Sequence, residues 1–411
     1  MKTNISYEES VEILRELKLE PLGIEKVFFA QSLNRVLAED IVAQEDMPTH
    51  LTSAMDGYAL KFEYLEILKH QGLVVGGICK AGESAYISCK QGECIKTFTG
   101  AKMPQGTDTL VLVEDVREEG GKIFHSMPQA IHKGQWVRQV GENYRQGEVL
   151  LKKGTKITPF EIGLLAELNR VFVCVYIAPK IAILSGGDEV IEVGEAKREN
   201  TIYSVNHHLL KAIAQNWGAE VFLFPLLQDD KNHNLESVRQ ALKQCDILVT
   251  TGGASKGDFD ITQDVIRQEC DMVFKGVRMK PGKPVGFGIK NQQCVFLLPG
   301  FPNSCAMTFM LFVRIAFAKL TGNVTGLPMP LKARLQGGIV RKDTRKEFRV
   351  CNYEIVDGEY RVGFWDKKVL QSSVVNNFCN QSGLLVLPEG GGDVPDAQMV
   401  DFYPLQSLLN L

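Results

Sequence analysis

Between residues 180 and 322 the chain alternates short β-branched runs with stretches of helical period, and this alternation limits the fold more than any other feature. IAILS is followed by VNHHLLKAIAQNW, closed by Gly218, and then by EVFLFPLL. LESVRQALKQC, DILVTT, ITQDVIRQEC, MVFKGVRM and CVFLLP continue the series up to a long helix before Gly322. Strands joined through helices in this way are connected by right-handed crossovers and run parallel. The pattern predicts an α/β domain on a mostly parallel sheet.

The period changes on both sides of this domain. Ser6 and Glu9 have the spacing of a capping box ahead of Val11, Leu14 and Leu17, which predicts an N-terminal helix with one apolar face. From about residue 40 to 175 short apolar stretches such as 94–99, 109–114 and 171–176 are broken by Gly and Pro and predict a strand-rich region. After about residue 325 the helical periods stop. LKARL, EFRVCNYEI, YRVGFW, LLVLP and MVDFYPL, with a turn at Asp357-Gly358, predict a small all-β domain, either barrel or sandwich. At 411 residues the chain exceeds what one core organises, so several domains are expected.

Composition excludes several classes of function. With 46 basic and 49 acidic residues the net charge is -3, so no overall field attracts nucleic acid or an anionic membrane. The opening MKTNISYEES has no apolar core of a secretory signal, and a cytoplasmic location is expected. The longest apolar run, 305–318, is interrupted by Arg314 and is too short for a bilayer, which predicts a buried helix. The ten cysteines form no C-x-x-C pair and have no His at zinc-ligand spacing, so reduced and mostly buried thiols are expected. His207 and His208 face different sides of a helix and are read as satisfied or solvent-facing rather than as metal ligands. Neither a P-loop nor a G-x-G-x-x-G opening a helix is present in the α/β region.

In an open parallel sheet ligands bind beyond the carboxyl ends of the strands. Here IAILS runs into Gly186-Gly187-Asp188-Glu189, EVFLFPLL into Gln228-Asp229-Asp230, and DILVTT into a 252–260 loop containing Gly252, Gly253, Ser255, Gly257 and Asp260. CVFLLP enters Pro299-Gly300-Phe301-Pro302-Asn303-Ser304 and then a helix. Glycines let the backbone approach a ligand, and the N–H groups that begin each following helix favour phosphate, so these loops predict an anion cradle. Glu189, Asp229 and Asp260 follow three different strands and suit Mg²⁺, which takes carboxylates, waters and phosphate oxygens; each also suits a helix N-cap. Lys280 and Lys283 flank Pro281-Gly282 and can neutralise an oxyanion or stand on a solvated loop.

Six segments, in order, resemble the molybdopterin molybdenumtransferase family, which comprises MoeA and the E domain of gephyrin. They are Ser53-Ala54-Met55-Asp56-Gly57-Tyr58-Ala59; Thr99-Gly100-Ala101 with Pro104 and Gly106; Ser185-Gly186-Gly187-Asp188-Glu189; and Gly252-Gly253-Ala254-Ser255 with Gly257 and Asp260. Lys280-Pro281-Gly282-Lys283-Pro284 and Pro299-Gly300 with Pro302 and Ser304 complete the set, so the likeness covers residues 35–375. SAMDGYA is its most specific part.

The resemblance implies an α/β multidomain chain. Its parts are an N-terminal discontinuous module (1–45 with 138–177), an inserted β-rich domain (46–137), a pterin-binding α/β domain similar to MoaB and MogA (178–323) and a small C-terminal β-barrel (324–411). It implies a homodimer with its site between subunits, and a reaction in which adenylylated molybdopterin and molybdate are taken up, AMP is released with Mg²⁺ and molybdenum is left on the dithiolene. Asp56, Thr99, Glu189, Asp229 and Asp260 become the catalytic positions, the last three also holding the metal. Ser53, Met55, Gly57, Tyr58, Gly100, Gly186, Gly187, Asp188, Asn206, Gly252, Gly253, Ser255, Gly257, Lys280, Lys283, Pro299, Gly300, Pro302, Ser304 and Ser372 become substrate-binding positions. A molybdopterin adenylyltransferase and molybdoenzyme maturation proteins are the implied partners.

Three positions depart from the family pattern: Asn143 where an acid is usual, Phe301 where an amide side chain is usual, and Val350, beside Arg349, where an arginine is usual. Two other readings compete. A gephyrin-like scaffold keeping only the pterin cradle has no need of metal-suited carboxylates, and a molybdopterin adenylyltransferase shares the α/β domain but not the SAMDGYA module.

Overall fold

The computed structural model describes residues 1–82, 87–126, 130–228, 230–252, 261–323, 327–365, 367 and 373–410. The chain divides into two compact units, Met1–Glu39 with Lys153–Leu411, and Asp40–Lys152.

The larger unit is organised by a seven-stranded sheet in the order Lys2–Ile5, Asp271–Val277, Gly286–Lys290, Gln293–Leu298, Ile247–Thr251, Lys180–Ser185, Glu220–Leu223. Only Gly286–Lys290 runs against the rest, pairing antiparallel with both neighbours. The mostly parallel sheet read from the sequence is therefore present. Its β-branched runs have no polar alternation because both faces are covered. Ile181, Ile183, Ile247, Val249 and Phe296 point into one core with Leu210, Ile213 and Trp217 of the helix Val205–Trp217. Ala182, Leu184, Leu248, Val295 and Leu297 point into another with Val238 and Ala241 of Lys231–Leu242.

The apolar stretch ahead of Gly322 is one helical rod, Pro302–Thr308, a wider turn at Phe309–Val313, and Arg314–Leu320. Its 19 residues are long and apolar enough to cross a membrane, but nearly all of the rod is buried inside the protein, as expected of a core helix. Arg314 explains how a cation sits there. Its guanidinium donates to the carbonyls of Ser407 (2.8 Å) and Asn410, while Asn216 donates to that of Leu409 at 2.7 Å. These bonds satisfy the carbonyls at the end of the helix Leu405–Leu409, and burial pushes the Arg314 pKa down to about 10.

At the N-terminus a helix forms as expected, Tyr7–Glu16, with Ser6 Oγ accepting from Glu9 N at 3.0 Å. The reciprocal half of the capping box is replaced, since Glu9 accepts from Lys2 Nζ at 2.8 Å. The strand Lys2–Ile5 that precedes it, at the sheet edge beside Asp271–Val277, is absent from the sequence reading. Three of its four residues are exposed, so it has no apolar alternation to detect.

The C-terminal region of this unit is a barrel. Lys346–Val356, eleven residues long, pairs with Glu359–Gly363 at one end and with Ser382–Leu387 at the other, and Leu331–Leu335 and Met399–Pro404 close the ring. Asp357 (φ 52°) and Gly358 (φ 80°) make the two-residue hairpin turn between the first pair. Met279–Lys280 pairs parallel with Lys346 and Glu347, tying the barrel to the α/β part.

The smaller unit holds a six-stranded sheet in the order Thr109–Leu112, Gly57–Leu60, Glu93–Thr97, Leu73–Cys79, Lys122–His125, Val116–Glu119. All its pairings are antiparallel except that of Leu73–Cys79 with Glu93–Thr97. The ten cysteines are free thiols; six are buried and only Cys379 is exposed.

Candidate functional site

Four neighbouring parallel strands end at one edge of the large sheet, and their loops lie backbone against backbone. Gly186 bridges to Leu227, and a Cβ on Gly186 would stand 2.3 Å from the Leu227 carbonyl oxygen. A Cβ on Gly252, whose φ is +84°, would stand 2.8 Å from the Gly186 oxygen, and one on Gly300 would stand 3.4 Å from the Gly252 Cα. Three strand-end loops thus pack closely, and at Gly186 and Gly252 the spacing is open only to glycine, while Gly300 would make an ordinary contact.

Asn206, in the first turn of Val205–Trp217, holds this row together. Its Nδ2 donates to Thr251 Oγ1 (3.2 Å) and to the Gly300 carbonyl (2.8 Å), and Thr251 Oγ1 donates to Ser185 Oγ (2.8 Å). The ends of three strands are fastened through one amide that is 8% exposed. Its Oδ1 is buried and accepts no hydrogen bond from the described residues, which leaves an acceptor at the cradle.

Glu189 and Asp188 are exposed on the loop after Ser185. Asp229, Gly253, Ser255, Gly257, Asp260 and Ser372 lie outside the described residues. Among the described residues no three His, Cys, Asp or Glu side chains group as metal ligands. Glu189 follows Lys180–Ser185 in the chain, and Asp229 and Asp260 come after Glu220–Leu223 and Ile247–Thr251, the two strands that flank it in the sheet. Such hard oxygen donors fit a Mg²⁺-type ion. The neighbour Asp230 caps Lys231–Leu242, accepting from the N–H groups of Asn232 (2.8 Å) and His233 (3.0 Å).

A cavity of about 900 Å³ lies between the α/β part and the barrel of the same unit. Lys280, Lys342 and Arg349 bring positive charge to its lining, together with Phe301, Asn303 and Val350. Arg349 is bonded to Glu347 at 2.8 Å, and Glu347 also pairs with the buried Arg341 at 3.4 Å, so two guanidiniums face one carboxylate. Lys280 stands 4.0 Å from Asp343. Two departures from the family pattern meet here: Phe301, 62% exposed, and Val350, buried, give the wall an apolar portion. Lys283 is exposed on the turn beside Lys280; Pro299 is buried, and Ser304 Oγ donates to the Phe301 carbonyl at 2.9 Å under the first turn of Pro302–Thr308.

In the smaller unit, Asp56 Oδ1 accepts from both the N–H and the Oγ1 of Thr99, each at 2.7 Å. These bonds, the backbone one first, hold the exposed Asp56 carboxyl below the ordinary range, so it remains a carboxylate. Ser53 is buried, donates from Oγ to the Met55 carbonyl (2.6 Å) and accepts from Gly100 N (2.8 Å), drawing the two segments together. Met55 is exposed beside Asp56, and Gly57 is buried in the sheet. Tyr58 is a core residue, 1% exposed, with its hydroxyl on Glu118 at 2.8 Å and its pKa raised by burial to about 12. Asn143 accepts from Arg138 where an acid would make an ion pair.

Glu192 was not marked in the sequence, and it binds two histidines. His207, next to Asn206, is 2% exposed; Ser185 N–H donates to its Nε2 at 3.1 Å, and its Nδ1 faces Glu192 Oε1 at 3.2 Å. Exposed His208 reaches the other oxygen of Glu192 at 3.1 Å. Both histidines are satisfied as expected, but their shared acid was invisible because nothing local links residue 192 to 207.

Burial lowers the His207 pKa below the ordinary 6.5, against the raising influence of Glu192. The unfolded chain therefore binds this proton more readily than the folded one, and stability is lost as pH falls below about 6.5. Urea midpoints at pH 7.0 and 5.5 should decline for the native sequence, and less for His207→Gln, which does not titrate in that window. An equal decline would assign it to other groups.

Residues 5–169 match the family model of the MoeA N-terminal region (domains I and II), and residues 182–319 that of the probable molybdopterin binding domain. A putative molybdopterin biosynthesis protein of Methanocaldococcus jannaschii is 30% identical over 410 residues, 98% of this chain and 96% of the relative. The chain belongs to the molybdopterin molybdenumtransferase (MoeA) family. A molybdopterin molybdenumtransferase of Haemophilus influenzae is 30% identical over 396 residues, 95% of this chain and 96% of its own. The crystal structure of a molybdopterin biosynthesis MoeA protein from Pyrococcus horikoshii OT3 superposes with a TM-score of 0.81 at 30% identity, covering 98% of this chain and 100% of that one. As a MoeA family member the protein is an enzyme of molybdenum cofactor biosynthesis.

Proposed function

We propose that this protein is a homodimeric, cytoplasmic molybdopterin molybdenumtransferase that takes adenylylated molybdopterin and molybdate, releases AMP, and leaves molybdenum on the dithiolene. The observation that carries the reading is the row of Gly186, Gly252 and Gly300, where three strand-end loops expose backbone at the carboxyl edge of a parallel sheet. Backbone without side chains admits a pyrophosphate closely. Lys280, Lys342 and Arg349 around the neighbouring cavity supply countercharge for a tetrahedral oxyanion such as molybdate.

Asp56, kept ionised by Thr99, is a fixed acceptor for a proton or for a donor on the substrate. Glu189, Asp229 and Asp260 are the proposed holders of a divalent cation, which would offset charge on the phosphate oxygens as AMP departs. Phe28, Phe160 and Phe172 are 41%, 88% and 51% exposed, and such apolar surface suits a contact with a second copy of the chain.

AMP release from adenylylated molybdopterin is expected to require both molybdate and a divalent cation. Purified protein would be incubated with substrate, with each component omitted in turn, and AMP measured by chromatography. Undiminished release in EDTA without molybdate would overturn the reading.

A further inference from the structure

We infer that His207 and Glu192 form a clasp across the 186–191 loop, and that His207 is a positioning residue which fixes the place of Glu189 in the reaction. For its catalytic consequence the inference rests on the role proposed above for Glu189; the clasp itself does not.

Ser185 N–H donates to His207 Nε2 at 3.1 Å, so Nε2 carries a lone pair, and a neutral imidazole must then carry its proton on Nδ1, the nitrogen facing Glu192 at 3.2 Å. The ring is 2% exposed and has one acceptor and one donor, each matched. Ser185 is the last residue of its strand, the root of the loop. Glu192 immediately follows the short strand Val190–Ile191, the far end of the loop. One side chain thus joins both ends of a segment that carries Asp188 and Glu189. Its main-chain bonds include Gly187 N to the Leu227 carbonyl (3.1 Å), Val190 N to the Gly187 carbonyl (2.8 Å), Ile202 N to the Glu189 carbonyl (2.8 Å) and Ser204 N to the Ile191 carbonyl (2.8 Å).

The remaining features follow from this arrangement. His207 neighbours Asn206, whose amide fastens Thr251 and Gly300, so consecutive residues on one helical turn hold the loops of three adjacent strands. His208 binds the second oxygen of Glu192 from the surface, which stops the carboxylate from rotating away. A residue chosen only for packing at position 207 needs no polar partner at either nitrogen. Here both partners belong to the segment that carries the proposed metal-holding acid.

The test uses three variants of the full-length protein. Glu192→Ala removes the far end of the clasp at a half-exposed position, Glu192→Gln keeps an acceptor for the imidazole N–H, and His207→Leu removes both ends. Amide hydrogen exchange is expected to quicken about tenfold at Gly187 and Val190 in Glu192→Ala and His207→Leu, with barrel amides unchanged. AMP release should show kcat lowered about tenfold or more with KM within about twofold, because positioning rather than binding is lost. Glu192→Gln should keep both readouts within about threefold of the parent. Unchanged loop exchange or unchanged kcat in Glu192→Ala, or a Gln variant as damaged as the Ala variant, would overturn the inference. Should the parent release no AMP at all, the proposed function fails, and the clasp stands or falls on exchange alone.

Discussion

Gly186→Ala is expected to damage both stability and turnover severely. The new Cβ would lie 2.3 Å from the Leu227 carbonyl oxygen and 2.5 Å from the Leu227 nitrogen, and backbone atoms cannot rotate away as a flexible side chain can. One of the two loops must move, and overpacking of this kind costs about 3 kcal/mol. The same displacement carries Asp188 and Glu189 with it, and a shift of about 1 Å at a reacting centre costs about a hundredfold in rate. Gly163→Ala is the control. Gly163 lies exposed in the helix Pro159–Glu167 with nothing within 4 Å of a Cβ, so the substitution should stabilise by about 0.5–1 kcal/mol. Urea unfolding and AMP release measured on both would decide. A Gly186→Ala protein with native stability and turnover would refute the view that the backbone row is essential.

The second large effect concerns the proposed sharing of a site between subunits. Asp56→Ala and Asp260→Ala homodimers are each expected to lose activity by about a hundredfold or more, since each removes a carboxylate proposed to act in the reaction. If Asp56 of one subunit works with Asp260 of the other, a mixed dimer contains one doubly damaged site and one intact site. Co-refolding the two mutants in equal amounts makes about half the dimers mixed, so activity should return to about a quarter of the parent's. Differential tags would verify the mixed species. No recovery in verified mixed dimers would put both aspartates in one subunit's site.

Much of the architecture was written locally. Short β-branched runs and period-3.6 apolar patterns identified the strands and helices of the α/β region, and helices between strands required parallel neighbours. Asp357-Gly358, both at positive φ, marked a hairpin. The run ending before Gly322 read as a core helix because Arg314 breaks it, and its guanidinium does find carbonyls inside the protein. The glycine-bearing loops were also legible, because strand ends in a parallel sheet open toward one edge.

Other features depended on which strands became neighbours. The first strand, Lys2–Ile5, has no pattern of its own and exists because Asp271–Val277 offers it an edge. Barrel rather than sandwich was decided by the eleven residues of Lys346–Val356, long enough to pair at both ends. Sequence marked Asp56 and Thr99 separately, but only the fold makes one the hydrogen-bond acceptor of the other, 43 residues away. Tyr58 belongs to the same specific segment as Asp56, yet strand alternation turns it into the core. His207 and Glu192, 15 residues apart, meet because the loop between two short strands returns to the helix start. Residue types and their periods therefore determined the elements, their order and the edge at which the glycine loops meet. Which side chains touch there was decided by tertiary packing, since hydrogen bonds act over about 3 Å and no short-range pattern records which distant segments come that close.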